Sequence, residues 1–236
     1  LVMPTGAGKT RTAASYADSC VRRGKRVLWV AHRRELVLQA SGTLRQFDLE
    51  VGEIIDGKPS TNPAAPVQVA MVQTLAASKR IPQASVIIAD EAQHGTASTW
   101  LDVFSSQPEA EVLGLSATPE RTDGVGLGEV FQRLVAPVSI GELTARGVLV
   151  PCKVYGPPKP IDALAMDPFD AYLRHVATPT EHPRAVVFSD SVESARELAD
   201  RMTAGGVRAA CVDGAISTDE REAKIEAFKR GEIRVL

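Results

Sequence analysis

The sequence has few cysteines, few aromatic residues and almost no excess of charge of either sign. Its three cysteines, Cys20, Cys152 and Cys211, lie far apart and form no Cys-X-X-Cys pair, so neither a zinc site nor a disulfide framework is indicated. The formal net charge of -2 gives no global basic field, so any nucleic-acid binding must come from a local surface. No apolar run approaches the roughly 18 residues of a membrane span, and no signal peptide is recognisable. These absences favour a cytoplasmic protein with no membrane partner.

The composition is that of a globular protein, with 44% hydrophobic and 24% charged residues. A length of 236 residues allows one large domain or two small ones. The chain begins with Leu1 in a strand-like run instead of an initiator methionine, and it stops at Leu236 in another such run. We therefore interpret the sequence as a fragment.

The most informative stretch is MPTGAGKT at positions 3–10. A strand end, a glycine-bearing turn and a helix start follow one another there, which is the order of a phosphate-binding loop. Gly6 and Gly8 let the backbone approach a polyphosphate. Lys9 supplies charge for the outer phosphates, and the Thr10 hydroxyl can ligate Mg²⁺. Because Met3 stands where the strict motif has glycine, this is a relaxed form of the motif, and an ordinary glycine turn is the alternative.

Continuous apolar runs recur along the chain and alternate with helical patterns. The first run, Val27–Ala31, is typical of a strand buried on both faces of a parallel sheet. The other predicted strands are Val67–Val72, Val86–Ala89, Val112–Leu115, Ala185–Phe188 and Val207–Val212. Strands that alternate with helices predict βαβ units and an α/β fold with a parallel sheet.

Capping residues predict where several helices begin and end. The first expected helix is 10–23, which ends before Gly24. The second is a short helix that begins at a capping box of Ser139 and Glu142 and is closed by Gly147. The third is capped by Asp190 with Glu193, and the fourth runs from Ser217 or Thr218 to Arg230.

Proline-rich stretches divide the sequence into regions. We predict a surface loop at 59–66, and an interdomain linker in the zone from 155–160 to 178–183. The expected domains are 1–136, a linker region at 137–183, and a second, incomplete domain at 184–236.

Asp90 and Glu91 follow the buried strand 86–89 directly. Parallel α/β sheets bind ligands at the carboxyl ends of their strands. In a nucleoside triphosphatase the first carboxylate holds Mg²⁺ and the second accepts a proton from the attacking water. An isolated Asp-Glu pair is usually just solvated, and the preceding strand and phosphate-binding loop are what favour the catalytic interpretation.

Three segments in this order resemble the motifs of one enzyme family. PTGAGKT (4–10), DEAQH (90–94) and LSATP (115–119) resemble motifs I, II and III of superfamily 2 helicases of the DEAD/DEAH-box group. The closest resemblance is to RadD-like and type III restriction-type helicases. The segments 31–36 and 72–75 resemble further motifs of the first domain, and 187–191 resembles motif IV of the second.

The resemblance implies a RecA-like P-loop NTPase fold, ATP and Mg²⁺ as ligands, and a nucleic-acid partner, more DNA than RNA. The implied nucleotide-binding residues are Pro4, Thr5, Gly6, Ala7, Gly8, Lys9 and Thr10. The implied metal ligands are Thr10 and Asp90, and the catalytic residues are Lys9, Asp90 and Glu91. The residues that would couple nucleotide state to strand movement are Gln93, Ser116 and Thr118. The nucleic-acid contacts would be His32, Arg33, Arg34, Gln73, Thr74 and Ser189.

Some residues depart from the family pattern or have a plainer explanation. Gln93 stands where this group usually has histidine or aspartate. Motifs V and VI are expected after Leu236, so we expect this fragment alone to be a poor ATPase. Arg33 and Arg34 could be a solvated helix start, and Ser116 with Thr118 could be a simple turn. The glycines at 124, 126 and 128 predict a flexible loop, because their spacing does not match a dinucleotide-binding motif.

Two other functions fit the same motifs. The chain could be the motor subunit of a restriction system. It could also be a nucleotide-gated nucleic-acid-binding module that does not hydrolyse ATP.

Overall fold

A computed structural model describes residues 1–95, 97–118, 127–154, 166–177 and 183–236. The chain divides into two compact units, Leu1–Cys152 and Lys153–Leu236. The region expected as a linker, 137–183, is therefore shared between the two units. The prolines at 157–160 and 179, together with Pro119, Gly124 and Gly126, lie outside the described residues.

The first unit alternates strands and helices, as the apolar runs predicted. Its elements in chain order are α1 (Lys9–Arg22), β1 (Val27–Ala31), α2 (Arg34–Arg45), β2 (Val51–Ile54), β3 (Val67–Met71), α3 (Val72–Ser78), β4 (Val86–Asp90), α4 (Ser98–Ser105), β5 (Glu111–Leu115) and α5 (Ile140–Ala145). Single 3₁₀ turns lie at Ala92–His94 and Leu127–Glu129. The capping box of Ser139 and Glu142 is confirmed at the start of α5.

The five strands form one parallel sheet in the order β2-β3-β1-β4-β5. The N-terminal residues extend this sheet beyond β5. Val2 forms a parallel bridge to Ser116, and the amino group of Leu1 donates to the Gly114 carbonyl at 2.7 Å. As a result β5 lies between β4 and the segment that leads into the glycine loop.

Both faces of this sheet are covered, which explains the uninterrupted apolar runs. One face carries Trp29 and Ile88 in a core that includes α1 and α2. The other carries Leu28 and Ile87 against Trp100 of α4. Fully burying a large side chain of this kind contributes about 1.5–3 kcal/mol relative to leaving it exposed. The strands are thus held by burial on two sides.

The edge strand β2 is absent from the sequence-based prediction. It is short and contains Gly52 and Glu53, so it has neither an apolar run nor a clean alternation. A Cβ at Gly52 would collide with the Asn62 carbonyl and the Gln68 side chain. The loop at 59–66 therefore folds closely over β2, and it also exchanges hydrogen bonds of 3.0 and 3.1 Å with Glu53 through Thr61.

The second unit contains α6 (Pro168–His175), α7 (Val192–Ala204) and α8 (Thr218–Arg230). In place of the strands predicted at Ala185–Phe188 and Val207–Val212, the structure has isolated parallel bridges. Val235 lies between Ala185 and Ala209 and bridges to both. The core of this unit contains Tyr172, Leu198, Met202, Val207 and Val235.

The prediction that Asp190 caps α7 is wrong by one residue. Ser191 is the N-cap, and its hydroxyl accepts from the Ser194 N–H at 3.1 Å. The predicted start and end of α8 are confirmed, since Ser217 caps it and Gly231 closes it with φ of 77°. In the part of the chain that is described, no helix is long and apolar enough to cross a bilayer.

Candidate functional site

The parallel sheet brings the candidate residues of the first unit to one edge. Five segments begin there side by side, because each starts at the carboxyl end of a strand or of the N-terminal extension. They are 4–8 after the extension, 116–118 after β5, 90–94 after β4, 32–34 after β1 and 72–74 after β3. Ser189 lies in the second unit and is exposed.

The glycine loop has the backbone that a phosphate-binding loop requires. Gly6 and Gly8 have φ values of 83° and 87°, which residues with a Cβ rarely adopt. Gly8 is the N-cap of α1 and no side chain caps that helix, so its first N–H groups and its positive dipole end are directed at the loop. The Lys9 ammonium donates to the Met3 carbonyl at 3.0 Å and so lies back across the loop.

Met3, which stands where the strict motif has glycine, lies outside the turn of the loop. Its side chain is only 7% exposed, and its N–H donates to the Ser116 carbonyl at 3.1 Å. Met3 therefore belongs to the sheet and the core, while the glycines that must turn are Gly6 and Gly8. A glycine at position 3 is not required by the geometry of the turn.

Asp90 and Glu91 form the acidic end of β4. Asp90 is 7% exposed, and burial raises its pKa, with the neighbouring Glu91 carboxylate as the second cause. The Trp29 indole N–H makes no hydrogen bond of acceptable geometry, although it lies near enough to lower that pKa to a smaller extent. Glu91 has φ of 57° and ψ of 56°, a left-handed conformation that costs a non-glycine residue about 1–3 kcal/mol and that is typical of functional sites.

The side-chain amide of Gln93 joins the ends of β4 and β5. Its nitrogen donates to the Glu91 carboxylate at 2.7 Å, and its oxygen lies 2.8 Å from the Ser116 hydroxyl, whose single proton is shared between this oxygen and the Thr118 carbonyl at 2.6 Å. The Ser116 oxygen also accepts from the Thr118 N–H at 3.2 Å. Glu91, Gln93, Ser116 and Thr118 therefore form one chain of hydrogen bonds.

His32 and His94 form a second connection at the same edge. Their ring centroids are 4.7 Å apart, and the Gln73 amide donates to the His32 carbonyl at 3.0 Å. Burial lowers the pKa of His32, followed by the nearby His94 and Arg33. The Nδ1 atom of His32 is buried without a hydrogen-bond partner.

The expected nucleic-acid contacts of the first unit differ in their accessibility. Arg33, Arg34 and Gln73 are exposed, and the Arg34 guanidinium is 3.8 Å from Asp56. Thr74 is only 5% exposed, and its hydroxyl accepts from the Gly57 N–H at 3.4 Å. The first three side chains thus lie on the surface in this conformation, and Thr74 is turned inward. Their contacts with nucleic acid stay a prediction.

The donor set fits Mg²⁺ held together with phosphates. Among the described residues, no group of three or more His, Cys, Asp or Glu side chains could hold a metal ion. Mg²⁺ does not need such a cage, since it usually binds one or two carboxylates plus phosphates and waters. The buried Asp90 carboxylate, whose ionised form is disfavoured by burial and by Glu91, would be stabilised by such a cation. Thr10, in the first turn of α1, supplies a hydroxyl of the kind that accompanies it.

Two residues that position the site, Leu149 and Phe131, were not predicted from the sequence. The Leu149 side chain packs on the glycine loop, because a Cβ at Gly6 would lie 3.0 Å from it. Phe131 and the Cβ of Ala92 fill the space above Gly114, leaving no room for a side chain there. Nothing in the local sequence around these residues signals a contact so distant along the chain.

Comparisons with known proteins identify both halves of the chain. The family model described as type III restriction enzyme, res subunit, matches residues 1–121, and the helicase conserved C-terminal domain model matches 168–236. A 51.5 kDa protein of a Lactococcus phage is 24% identical over 99% of this chain and 53% of its own length. The putative ATP-dependent helicase IRC3 of Saccharomyces cerevisiae is 34% identical over 56% of this chain and 22% of its own.

Two further similarities were found, one to a restriction enzyme subunit and one to a solved structure. The type I restriction enzyme EcoAI endonuclease subunit of Escherichia coli is 29% identical over 65% of this chain and 21% of its own length. The structure of S. cerevisiae Dbp5 bound to RNA and ADP BeF₃ aligns with all of this chain and 64% of that one, with a TM-score of 0.60 at 17% identity. The predicted RecA-like α/β fold is confirmed. The chain spans about half or less of the length of the first curated relatives.

Proposed function

Because this chain belongs to the family of the type III restriction enzyme res subunit, within the superfamily 2 helicases, we propose that it is an ATP-dependent helicase or translocase that acts on DNA. Nucleotide binding is a property of this family. Hydrolysis by this chain, the movement along a strand and the choice of DNA are the parts that we propose.

The observation that supports this function best is the Gln93 bridge. In the proposed reaction Glu91 would take up the proton of the attacking water, and Ser116 follows the neighbouring strand β5. Since Gln93 contacts both at 2.7 and 2.8 Å, a displacement of Glu91 when nucleotide is hydrolysed would be passed to the segment 116–118. Gln93 thereby performs, with an amide, the task that histidine or aspartate has in the family pattern.

The remaining residues have simple roles in such a reaction. The N–H groups of the loop 4–8 and the Lys9 ammonium would bind the phosphates. Mg²⁺, held by Thr10 and Asp90, would neutralise charge on the phosphates. Glu91 would take a proton from the water that attacks the γ-phosphorus, as the bond from that phosphorus to the β-phosphate oxygen breaks, giving ADP and inorganic phosphate. Lys9 must first leave the Met3 carbonyl, and bound phosphate offers it a stronger partner.

We infer DNA as the partner from the restriction-enzyme descriptions of the family model and of the E. coli relative. RNA is the alternative, since a Sclerotinia sclerotiorum relative is named as an RNA helicase and the Dbp5 structure is bound to RNA. From the same restriction-enzyme descriptions we also propose, as a second candidate, that the chain is the motor part of a restriction system. Exposed Arg33, Arg34 and Gln73 would hold the phosphate backbone without reading sequence.

The second unit would complete the motor. The helicase C-terminal domain model matches 168–236, which includes α6, α7 and α8. Ser189, which lies in this unit, would add a contact to the bound strand.

ATP turnover measured with single-stranded DNA, with single-stranded RNA and without nucleic acid tests this proposal. The chain should be assayed as it stands and in a version extended by whatever sequence follows Leu236 in its gene, with Glu91→Gln as the control. In the extended version we expect DNA to stimulate ATP turnover more than RNA does. Glu91→Gln should abolish this turnover. Nucleotide binding without turnover in both versions would favour the nucleotide-gated binding module instead.

A further inference from the structure

A basic cleft lies on the first unit beside strand β2, and none of the residues assigned to nucleotide binding or catalysis lines it. It has a volume of about 760 Å³ and lies between the turn and loop that follow β2 and the segment after α3. Its basic residues are Arg26, Lys58 and Arg80. Ile54 and Gln68, which are 6% and 2% exposed, form part of its base. We call it the basic cleft.

Arg26 is fixed in the wall of the basic cleft. Its guanidinium donates to the carbonyls of Pro63 and Ala65 at 3.4 and 3.3 Å. The loop that carries these carbonyls is itself held in place, because the Gln68 amide donates to the Asn62 and Ala65 carbonyls at 2.9 and 3.0 Å. One positive charge is therefore placed before any ligand arrives, which reduces the entropy cost of binding.

Two tight turns present the other two cations. Lys58 ends a turn in which Asp56 and Gly57 have φ of 54° and 72°, closed by the Lys58 N–H on the Ile55 carbonyl at 3.0 Å. Arg80 follows Lys79, which ends α3 with φ of 52°. Asp56 and Lys79 are thus two of the few described non-glycine residues with positive φ, and each lies within two residues of a lining cation.

The residues that line the basic cleft carry positive charge and no negative charge. Of the residues that line it, none is acidic. The carboxylates on β2 and the following turn are engaged by arginines of α2, with Glu53 2.8 Å from Arg45 and Asp56 3.8 Å from Arg34. This leaves a local excess of positive charge on a chain whose net charge is -2.

The walls of the basic cleft are apolar and contain no aromatic residue. Besides Ile54 they include Ile81 and the prolines 59, 63 and 82. Sites for single-stranded nucleic acid combine a basic groove with aromatic rings on which bases stack, and such rings are absent from this lining. Arginine is enriched at protein–protein interfaces, and the isoleucines and prolines of this lining offer apolar contacts to a bound segment.

We propose that the basic cleft binds an acidic, partly apolar segment of a partner protein. Carboxylates of that segment pair with Lys58, Arg80 and Arg26, and its aliphatic side chains pack on Ile54, Ile81 and the prolines. The site contains none of the residues assigned to ATP, so it does not depend on the proposed hydrolysis. It gives the motor a place to receive a partner subunit while the strand ends hold nucleotide.

Fluorescence anisotropy of a short labelled peptide of alternating aspartate and leucine tests this site on the full chain. The variants are Lys58→Glu and Arg80→Glu. Arg146→Glu, at an exposed position after α5, makes the same change of net charge elsewhere on the first unit. We expect each cleft variant to weaken peptide binding at least about threefold and the double variant about tenfold, while Arg146→Glu binds like the native chain.

Three results would overturn the proposal. One is peptide binding that is equal in the cleft variants and the native chain, and another is binding that persists when asparagine replaces aspartate in the peptide. The third is a short oligothymidylate that binds in place of the peptide and loses affinity in Lys58→Glu and Arg80→Glu, which would assign the basic cleft to nucleic acid. Because both positions are exposed, unchanged thermal unfolding should accompany each variant.

Discussion

The Ser116 hydroxyl donates a 2.8 Å hydrogen bond to the side-chain oxygen of Gln93, although the two residues follow different strands. Gln93 also donates to Glu91. A residue that looks like a departure from the family pattern therefore forms the direct connection between the candidate catalytic base and the third motif.

The first prediction concerns this hydrogen bond. Ser116 is 2% exposed, so the bond to Gln93 is shielded from water, and the Thr118 carbonyl at 2.6 Å is the other acceptor within reach of the same hydroxyl. Gln93→Ala and Ser116→Ala should each destabilise the first unit, and their effects should be coupled by about 1 kcal/mol.

A double-mutant cycle of urea unfolding measures this coupling. The two tryptophans of the chain, Trp29 and Trp100, are buried in the first unit, so their fluorescence reports on that unit alone. Effects that add within about 0.3 kcal/mol would mean that the two side chains do not interact.

The second prediction concerns the close packing at Gly114. A Cβ there would lie 2.6 Å from Phe131 and 2.8 Å from the Cβ of Ala92. Gly114→Ala should therefore cost about 1–3 kcal/mol of unfolding free energy through overpacking. Gly42→Ala, inside α2 with nothing within 4 Å of its Cβ position, should instead stabilise by about 0.5–1 kcal/mol. Equal effects of the two substitutions would contradict the packing described here.

The third prediction concerns the conflict between stability and function at Asp90. Burial and the Glu91 carboxylate raise the pKa of Asp90, so the folded state binds this proton more readily than the unfolded chain does. The ionised form consequently reduces stability, and this loss is complete only at pH values above that pKa. Asp90→Asn should raise the free energy of unfolding by about 0.5–2 kcal/mol and weaken Mg²⁺-dependent nucleotide binding. Asp102→Asn, at an exposed position of α4, should change neither, and a destabilised Asp90→Asn would refute this interpretation.

The fourth prediction concerns the loss of stability at acidic pH that His32 causes. Burial lowers the pKa of His32 below its ordinary value of 6.5, so on acidification the unfolded chain takes up a proton before the folded unit does. Stability that is present above this value is lost as the pH falls from 6.5 toward the lower folded pKa. His32→Phe keeps a ring against His94 and removes the titration. The unfolding free energy of the native chain minus that of the variant should therefore decrease from pH 8 to pH 5.5. A difference that stays constant would contradict the lowered pKa of His32.

Much of the first unit could be predicted because its signals are local. The runs 27–31 and 86–89 are buried on both faces, so they are apolar without interruption. The segments 4–10 and 90–94 lie directly after strands, and their glycines and carboxylates are recognisable from the residues alone. Neighbouring strand ends then bring these segments together.

The parts that were missed depend on contacts between distant residues. Strand β2 is defined by its pairing with β3 and by the loop folded over Gly52, and neither leaves a periodic pattern in its four residues. Leu149 reaches the glycine loop from a position far along the chain. In the second unit, the runs at 185–188 and 207–212 are as apolar as true strands, but only Ala185 and Ala209 bridge to Val235.

The most direct test of the account is Mg²⁺-dependent binding of a fluorescent ATP analogue to Lys9→Ala and Glu91→Gln. Glu91→Gln removes the proposed base and leaves the glycine loop intact, so it should bind the analogue within about threefold of the native chain. Lys9→Ala removes the charge that attracts the outer phosphates and should weaken binding by at least about tenfold. If Lys9→Ala binds as tightly as the native chain, the loop at 4–10 is not the nucleotide site and the proposed motor function fails with it.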